Sequence, residues 1–256
     1  MTQEWNALWR SYAGSAECNP AQAFRREQIR HLLGSLEDGS PQRLLDIGCG
    51  QGDFCREVAG AFPAWDVRGL DISDSGLAMA RDKSPRGTFC QADLMDAGAL
   101  PAWQGWASRA VCSEMLEHVQ DPATVLANIR TLMAPGGLLV ITVPAGPRTQ
   151  FDLHIGHLRH FTTEGLASLL ASQGLQPVRI QRCGFPFFNL YRLVVLLSGR
   201  RVITEATHAQ QNLSWPARTA MAAFRFLFRF NARTWGPGWQ LVALARCPGG
   251  QPEAGV

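Results

Sequence analysis

Three stretches of the chain carry residue types that could do chemistry. The first is Asp46-Ile47-Gly48-Cys49-Gly50-Gln51-Gly52-Asp53, with three glycines at alternate positions behind an acid. Glycines let a backbone turn sharply and approach a ligand with no Cβ in the way. The spacing is G-x-G-x-G, not the G-x-G-x-x-G of dinucleotide enzymes, and no Lys-Ser/Thr follows to grip a phosphate. The second stretch is Glu114-Met115-Leu116-Glu117-His118, which puts two carboxylates and an imidazole close together. Three readings of it stay open. His118 could act as a general base at neutral pH. Glu114, Glu117 and His118 could hold a divalent cation, because N and O ligands suit such ions. Or Glu117 and His118 could cap the next helix or pair with an arginine. The third stretch holds His154, His157 and His160, which three-residue steps would align on one helical face. Gly156 interrupts it, and Thr162-Thr163-Glu164 reads as the start of the next helix. A three-histidine metal site is therefore not expected.

The elements that must position these residues follow from periodicity. Leu44-Leu45-Asp46-Ile47 reads as a buried parallel strand, and Phe54, Val58, Ala61 and Phe62 have helical spacing. A strand, a glycine turn and a helix N-terminus form a nucleotide-shaped site. The second strand, from Trp65 to Ile72, carries Asp71 at its carboxyl end, where an acid can accept from ribose hydroxyls or cap the next helix. Thr88 to Leu94 is the third strand and its exit, and Ala110 to Ser113 is the fourth. Asp121-Pro122 opens a helix, and Pro135-Gly136-Gly137 makes a turn launching a strand over 138–143. A helix over 163–173 and strands over 177–183 and 239–246 complete the pattern. Residues 186–238 are too many for a bare loop and should form an inserted cap. Its second helix carries Arg218, Arg225, Arg229 and Arg233 as a stripe beside Phe224, Phe226, Phe228 and Phe230. Such a helix can cap a pocket, lie on a membrane or contact a lipid substrate, or form a dimer interface. Residues 1–39 read as helical, with Trp5, Leu8, Trp9 and Tyr12 on one face, either padding the sheet or closing over the site.

Asp46 to Gly52 resembles the first motif of class I S-adenosylmethionine (SAM) methyltransferases. The resemblance implies a cofactor loop of Asp46, Gly48, Cys49, Gly50 and Gly52. It also implies Asp71 and Ile72 at the ribose, Asp93 and Leu94 at the adenine, and Ser113 beside the cofactor. Tyr12, with Arg25 or Arg26, would be the contacts made by the N-terminal arm. The stretch from Ser113 to Val119 is similar to that of ubiquinone-biosynthesis O-methyltransferases. It lacks the Asn/Asp-Pro-Pro-Tyr and Pro-Cys signatures of nucleobase enzymes. Several small-molecule methyltransferases resemble the passage from Asp152 to Thr162, which borders their acceptor pocket. His118, Glu117, His157 and His160 are accordingly the catalytic candidates, and no metal ligand is assigned.

The expected fold is an α/β, doubly wound, seven-stranded Rossmann-like methyltransferase sheet with its last strand antiparallel. Its expected parts are an arm over 1–40, a SAM-binding core over 41–185, a cap over 186–238, the last core strand over 239–247 and a tail over 248–256. The expected function is methyl transfer from SAM to a small, partly apolar acceptor, at a hydroxyl of a phenol, sugar or quinone precursor, with release of S-adenosylhomocysteine. The alternatives are N- or C-methylation, a SAM-binding partner protein without turnover, and a dehydrogenase. With 46% hydrophobic residues and a net charge of +3, the chain has neither a disordered nor a strongly basic composition, and nucleic acid is not an expected partner. Seven cysteines without a C-x-x-C, and an N-terminus without a basic-then-apolar pattern, suggest a cytoplasmic protein with free thiols and no signal peptide. A homodimer and peripheral lipid contact through 187–233 are the further partners considered.

Overall fold

A computed structural model gives the structure of residues 5–7, 9–10, 19–36, 39–96, 98, 100–148, 150–197, 215–232 and 236–249. After helical residues at 5–7 and 9–10, the helices are α1 (Pro20–Gly34), α2 (Asp53–Ala61), α3 (Asp74–Lys83), α4 (Pro122–Leu132), α5 (Gln150–His154), α6 (Thr163–Ser172), α7 (Phe187–Leu197) and α8 (Trp215–Leu227). The strands are β1 (Arg43–Ile47), β2 (Asp66–Asp71), β3 (Thr88–Gln91), β4 (Ala107–Ser113), β5 (Met133–Pro144), β6 (Gln176–Cys183) and β7 (Gln240–Arg246).

One sheet holds all seven strands in the order β3-β2-β1-β4-β5-β7-β6. β1 to β5 pair in parallel, and β7 runs antiparallel between β5 and β6. Strand order reverses at β1 and β4, so the crevice beyond their carboxyl ends is where a doubly wound sheet binds ligands. The central strands are buried on both faces, which is why they read as apolar runs without alternation.

Local chemistry sets the helix starts. Asn19, Ser73, Asp121 and Thr162 cap α1, α3, α4 and α6 with their side-chain oxygens. Pro135-Gly136-Gly137 does not end the pairing as a free turn. β5 starts already at Met133, because Gly136 N–H donates to Cys247 O and Cys247 N–H donates to Gly137 O.

Residues between β6 and β7 form the helical insertion expected there. α7 and α8 sit against α1 through a ring cluster, with Phe24 at 5.2 Å from Phe188 and 5.5 Å from Phe228. Asn231, far along the chain, accepts the Phe187 and Phe188 N–H groups at the start of α7. Phe188 is fully buried and belongs to the same core as Phe24, Leu44 and Val140.

Phe188→Ala should therefore destabilise the fold by about 3–5 kcal/mol, the range for a deleted core ring. Urea unfolding checks this. A loss below about 1 kcal/mol would mean that the cap is anchored elsewhere.

Candidate active site

The glycine loop lies between β1 and α2, its entry held by Gly48 and Cys49 N–H groups that both donate to Leu70 O. Gly48 has φ +71° and faces the cleft, and a Cβ there would touch the Met115 side chain at 3.4 Å. Gly52 has φ +74°, and a Cβ there would lie 2.8 Å from the Ala80 Cα, inside contact distance. The loop is thus a concave backbone surface that side chains would fill.

The cleft beyond it encloses about 890 Å³, its open mouth included. Asp71, Ile72, Asp93 and Leu94 line one side, and Glu114, Met115 and His118 line another. Trp5 and Trp9 of the N-terminal segment close over it, and Asn6 Oδ1 accepts from Ser73 Oγ at 2.7 Å. Asp71 accepts from Gly50 N–H and Ser73 N–H, both at 2.8 Å, joining the loop to the end of β2. Each of its oxygens keeps a lone pair for a ligand. Asp93 accepts from Met95 N–H at 2.9 Å.

Asp46 is different. It is buried behind the loop, accepts from the Cys55 thiol at 3.3 Å, and is not on the cleft wall. Burial pushes its carboxyl up to about 7, against a thiol hydrogen bond that lowers it. Ser113 pairs with Thr142 at 2.8 Å, and it too is off the wall. Arg25 reaches Glu114 at 3.0 Å and Arg26 reaches Glu57 at 2.8 Å, so both arginines are engaged within the protein. Tyr12 lies outside the described residues.

Glu114 is the only non-glycine residue with positive φ among the described residues, at 53°. A strained backbone of this kind costs about 1–3 kcal/mol and persists where its surroundings hold it. Arg25, Gln240 and Thr142 do so here, all bonding its carboxylate. The strained turn sets the course of the residues that follow. Glu117 goes fully inward, and His118 reaches the cleft.

His118 Nδ1 lies 3.2 Å from Gly156 O, and a carbonyl only accepts, so Nδ1 carries the proton and Nε2 is bare. Burial lowers its pKa, leaving a neutral imidazole. Trp5 packs edge-on to its ring at 5.0 Å. The same logic runs through the second pair. His160 Nδ1 donates to Gly146 O, so its Nε2 accepts from His157 Nδ1 at 3.2 Å. His157 Nε2 is then bare, 3.9 Å from Glu117 Oε1. Burial first, then His118, pushes His157 down to about 3. Glu117 is fully buried, and neither of its oxygens has a hydrogen-bond partner among the described residues. Burial, reinforced by the Glu114 charge, raises its pKa well above the usual range. His157, His160 and Glu117 stand behind His118, not on the cleft wall, and His154 is exposed and apart from them.

Glu117, His118 and His157 each offer a ligand atom, all within 4.8 Å of one another, and Asp152, His157 and His160 form a second such trio. Glu114 belongs to neither. Asp152 and Arg192 were not singled out from the sequence, yet one guanidinium nitrogen of Arg192, Nη2, donates to both Asp152 carboxylate oxygens, at 2.8 and 3.0 Å, beside these histidines. Nothing local marks a contact between residues so far apart in the chain. Met115 was likewise visible only as an apolar residue, whereas Trp5 and Trp9 belong to the face that was expected either to pad the sheet or to close over the site.

This arrangement defines a class of protein. The family model described as a methyltransferase domain matches residues 21–180, and the chain belongs to that family. Its fold is that of the class I SAM-dependent methyltransferases, as the seven-stranded order with β7 reversed also indicates. Among curated relatives, it is similar to a trans-aconitate 2-methyltransferase of Methylobacterium radiotolerans, 33% identical over 134 residues, covering 50% of each chain. It is also similar to a ubiquinone biosynthesis O-methyltransferase of Paraburkholderia phymatum, 36% identical over 125 residues, 47% of this chain and 49% of the relative. The chain thus spans about half the length of the curated relatives it matches. A solved structure of Haemonchus contortus phosphoethanolamine N-methyltransferase 2 in complex with SAM shares the fold, with TM-score 0.58 and 17% identity over 87% of this chain and 52% of that one. SAM is the cofactor of this fold, and a glycine loop without lysine or arginine, beside two acids, suits a ligand that bears a ribose and a positive charge but no phosphate.

A carboxyl whose pKa is raised on folding makes the folded state the better proton binder. For Asp46 the stability is greatest below the unfolded value near 4 and falls as pH rises to about 7. Asp46→Asn should gain on the wild type by up to about 1.4 kcal/mol per pH unit across that window. Urea midpoints measured at several pH values check it, and parallel curves for the two proteins would contradict it.

Proposed function

We propose that the protein transfers a methyl group from SAM to a hydroxyl of a small, partly apolar acceptor, with His118 as general base. The observation that carries this reading is His118 itself, a neutral imidazole on the cleft wall with Nδ1 tied to Gly156 O and Nε2 bare. In this reading Gly48 to Gly52 receive the methionine part of SAM, Asp71 its ribose hydroxyls, and Asp93 its adenine amino group, with Ile72 and Leu94 against the ring. Bound SAM supplies an electrophilic methyl group on its sulfonium. Trp5, Trp9 and Met115 exclude water from the cleft. His118 Nε2 takes the acceptor proton, while the Gly156 carbonyl holds the ring in place and stabilises the imidazolium that results. Most of the acceleration comes from holding the acceptor in line, and proton removal adds about 10²–10⁴.

The relatives named for O-methylation support an oxygen acceptor. An amine acceptor would need no strong base, and there the cost of losing His118 would be small. His118→Ala should lower kcat by about 10²–10⁴ on a hydroxyl acceptor while leaving the SAM Kd unchanged. S-adenosylhomocysteine release over a panel of phenols and glycosides, with calorimetry of SAM binding, checks both. Because the His118 pKa is lowered, the acid limb of kcat/KM should fall below pH 6.5. Asp71→Asn should weaken SAM binding itself, and SAM binding unchanged in that variant would remove the cofactor assignment.

A second reading is supported by Glu117, whose two buried oxygens lack partners among the described residues. A divalent cation held by Glu117, His118 and His157 would use them, with N and O ligands of the kind zinc takes. Equilibrium dialysis against Zn²⁺ followed by metal analysis should find one equivalent, lost in Glu117→Gln. Full turnover after chelation would favour His118 as a base without metal.

A further inference from the structure

Among the described residues, the cap presents a broad exposed apolar surface. On α7, Leu190, Leu193, Val194 and Leu197 are exposed, and their spacing places them on one face of the helix. The other side, with Phe188 and Tyr191, holds the helix to the core through Phe24, Phe224 and Phe228. On α8 and the turn that follows it, Trp215, Phe226 and Phe230 are 78%, 56% and 62% exposed. Helical spacing aligns them in a second apolar stripe. Arg218, Arg225 and Arg229 run along one edge of that stripe, all exposed, with no carboxylate partner among the described residues. Neither helix carries an aspartate or a glutamate. The two helices pack against each other, so the stripes belong to one cap. A single exposed leucine needs no explanation, but seven large apolar side chains on two neighbouring helices do.

We infer that this surface docks on an anionic lipid bilayer. α8 lies along the interface, with Trp215, Phe226 and Phe230 at the acyl boundary and the three guanidinium groups at lipid phosphates. Charge decides between this occupant and a second copy of the chain. A two-fold dimer sets the same patch against itself, here arginine against arginine with no acid on either helix to neutralise the rows. A bilayer supplies the missing negative charge together with an apolar layer of the right depth. No described helix is long and apolar enough to cross a membrane, so the contact is peripheral. The cap also reaches the site, since Arg192 of α7 grips Asp152 beside His157 and His160. Docking would therefore place the histidine-bearing loop near the lipid surface.

The test is co-sedimentation of the full chain with vesicles of phosphatidylcholine alone and of phosphatidylcholine mixed with phosphatidylglycerol, at low and high salt. It reads binding without methyl transfer, so its failure leaves the enzymatic reading untouched. The expected result is partition onto the anionic vesicles only, weakened by salt and by about fivefold for each of Arg218→Gln, Arg225→Gln and Arg229→Gln. Phe226→Ala with Phe230→Ala should lower it further, with circular dichroism unchanged because all five side chains are exposed. Absence of partition would overturn the proposal, as would equal partition onto neutral vesicles. A dimer in sedimentation velocity that Phe226→Glu dissociates would overturn it in favour of a second copy.

Discussion

The charge on Glu114 is the constraint around which the site is assembled. It sits just past the end of β4, in a left-handed backbone conformation, and three distant segments meet it. Arg25 comes from α1, Thr142 from β5 and Gln240 from β7, all within hydrogen-bonding reach of its carboxylate. Gln240 also accepts from Arg25 Nε and donates to Val143 O, which closes the network on the backbone. A partly buried carboxylate left without such donors would be expensive. The same contacts hold the strained φ in place. Without them the turn after β4 would relax, and His118 would lose its position over the cleft.

Glu114 and Glu117 illustrate how environment separates two carboxyls only three residues apart. Glu114 has an arginine and two neutral donors. Glu117 has none, lies deeper, and feels the negative charge of its neighbour, so it is held toward the neutral form. The turn thus leaves a carboxylate held by three side-chain donors beside the cleft and, beneath it, a carboxyl with no side-chain donor among the described residues. Two imidazoles between them have bare Nε2 atoms and protonated Nδ1 atoms tied to carbonyl or imidazole acceptors.

What was legible in the sequence was what chain neighbours determine. β1, the glycine turn and α2 follow from an apolar run, three glycines and helical spacing. The reversed β7 was expected from the resemblance to the methyltransferase fold, not from local pattern, and a cap was inferred because the last two strands are so far apart in the chain. The glycine loop, Asp71, Asp93 and His118 all sit at a strand's carboxyl end, and the doubly wound sheet gathers those ends at one crevice. The rest depended on pairings between segments far apart in the chain. No local pattern says that Gln240 faces Glu114, that Arg192 grips Asp152, or that Asn231 caps α7. Proximity in sequence misled only for Glu114: Glu117 and His118 do come together, with His157, while the Glu114 carboxylate turns to Arg25 and Gln240. A positive φ at a glutamate has no composition signal.

The Arg192–Asp152 pair shows why the family motif stops short of naming an acceptor. Asp152 anchors the loop that carries His157 and His160: its backbone carbonyl accepts from His157 N–H, and its carboxylate lies within 3.7 Å of both rings. Arg192, however, belongs to the inserted cap and not to the sheet. The loop beside His118 is therefore braced from one side by the shared core and from the other by the insertion. The core side lies within the family model, and the cap side carries a sequence that the model, ending at residue 180, does not reach. Changing the cap would move the loop without touching the glycine turn or Asp71. Acceptor choice can then vary while the cofactor site stays fixed, which is what a site divided between a core and an inserted element permits.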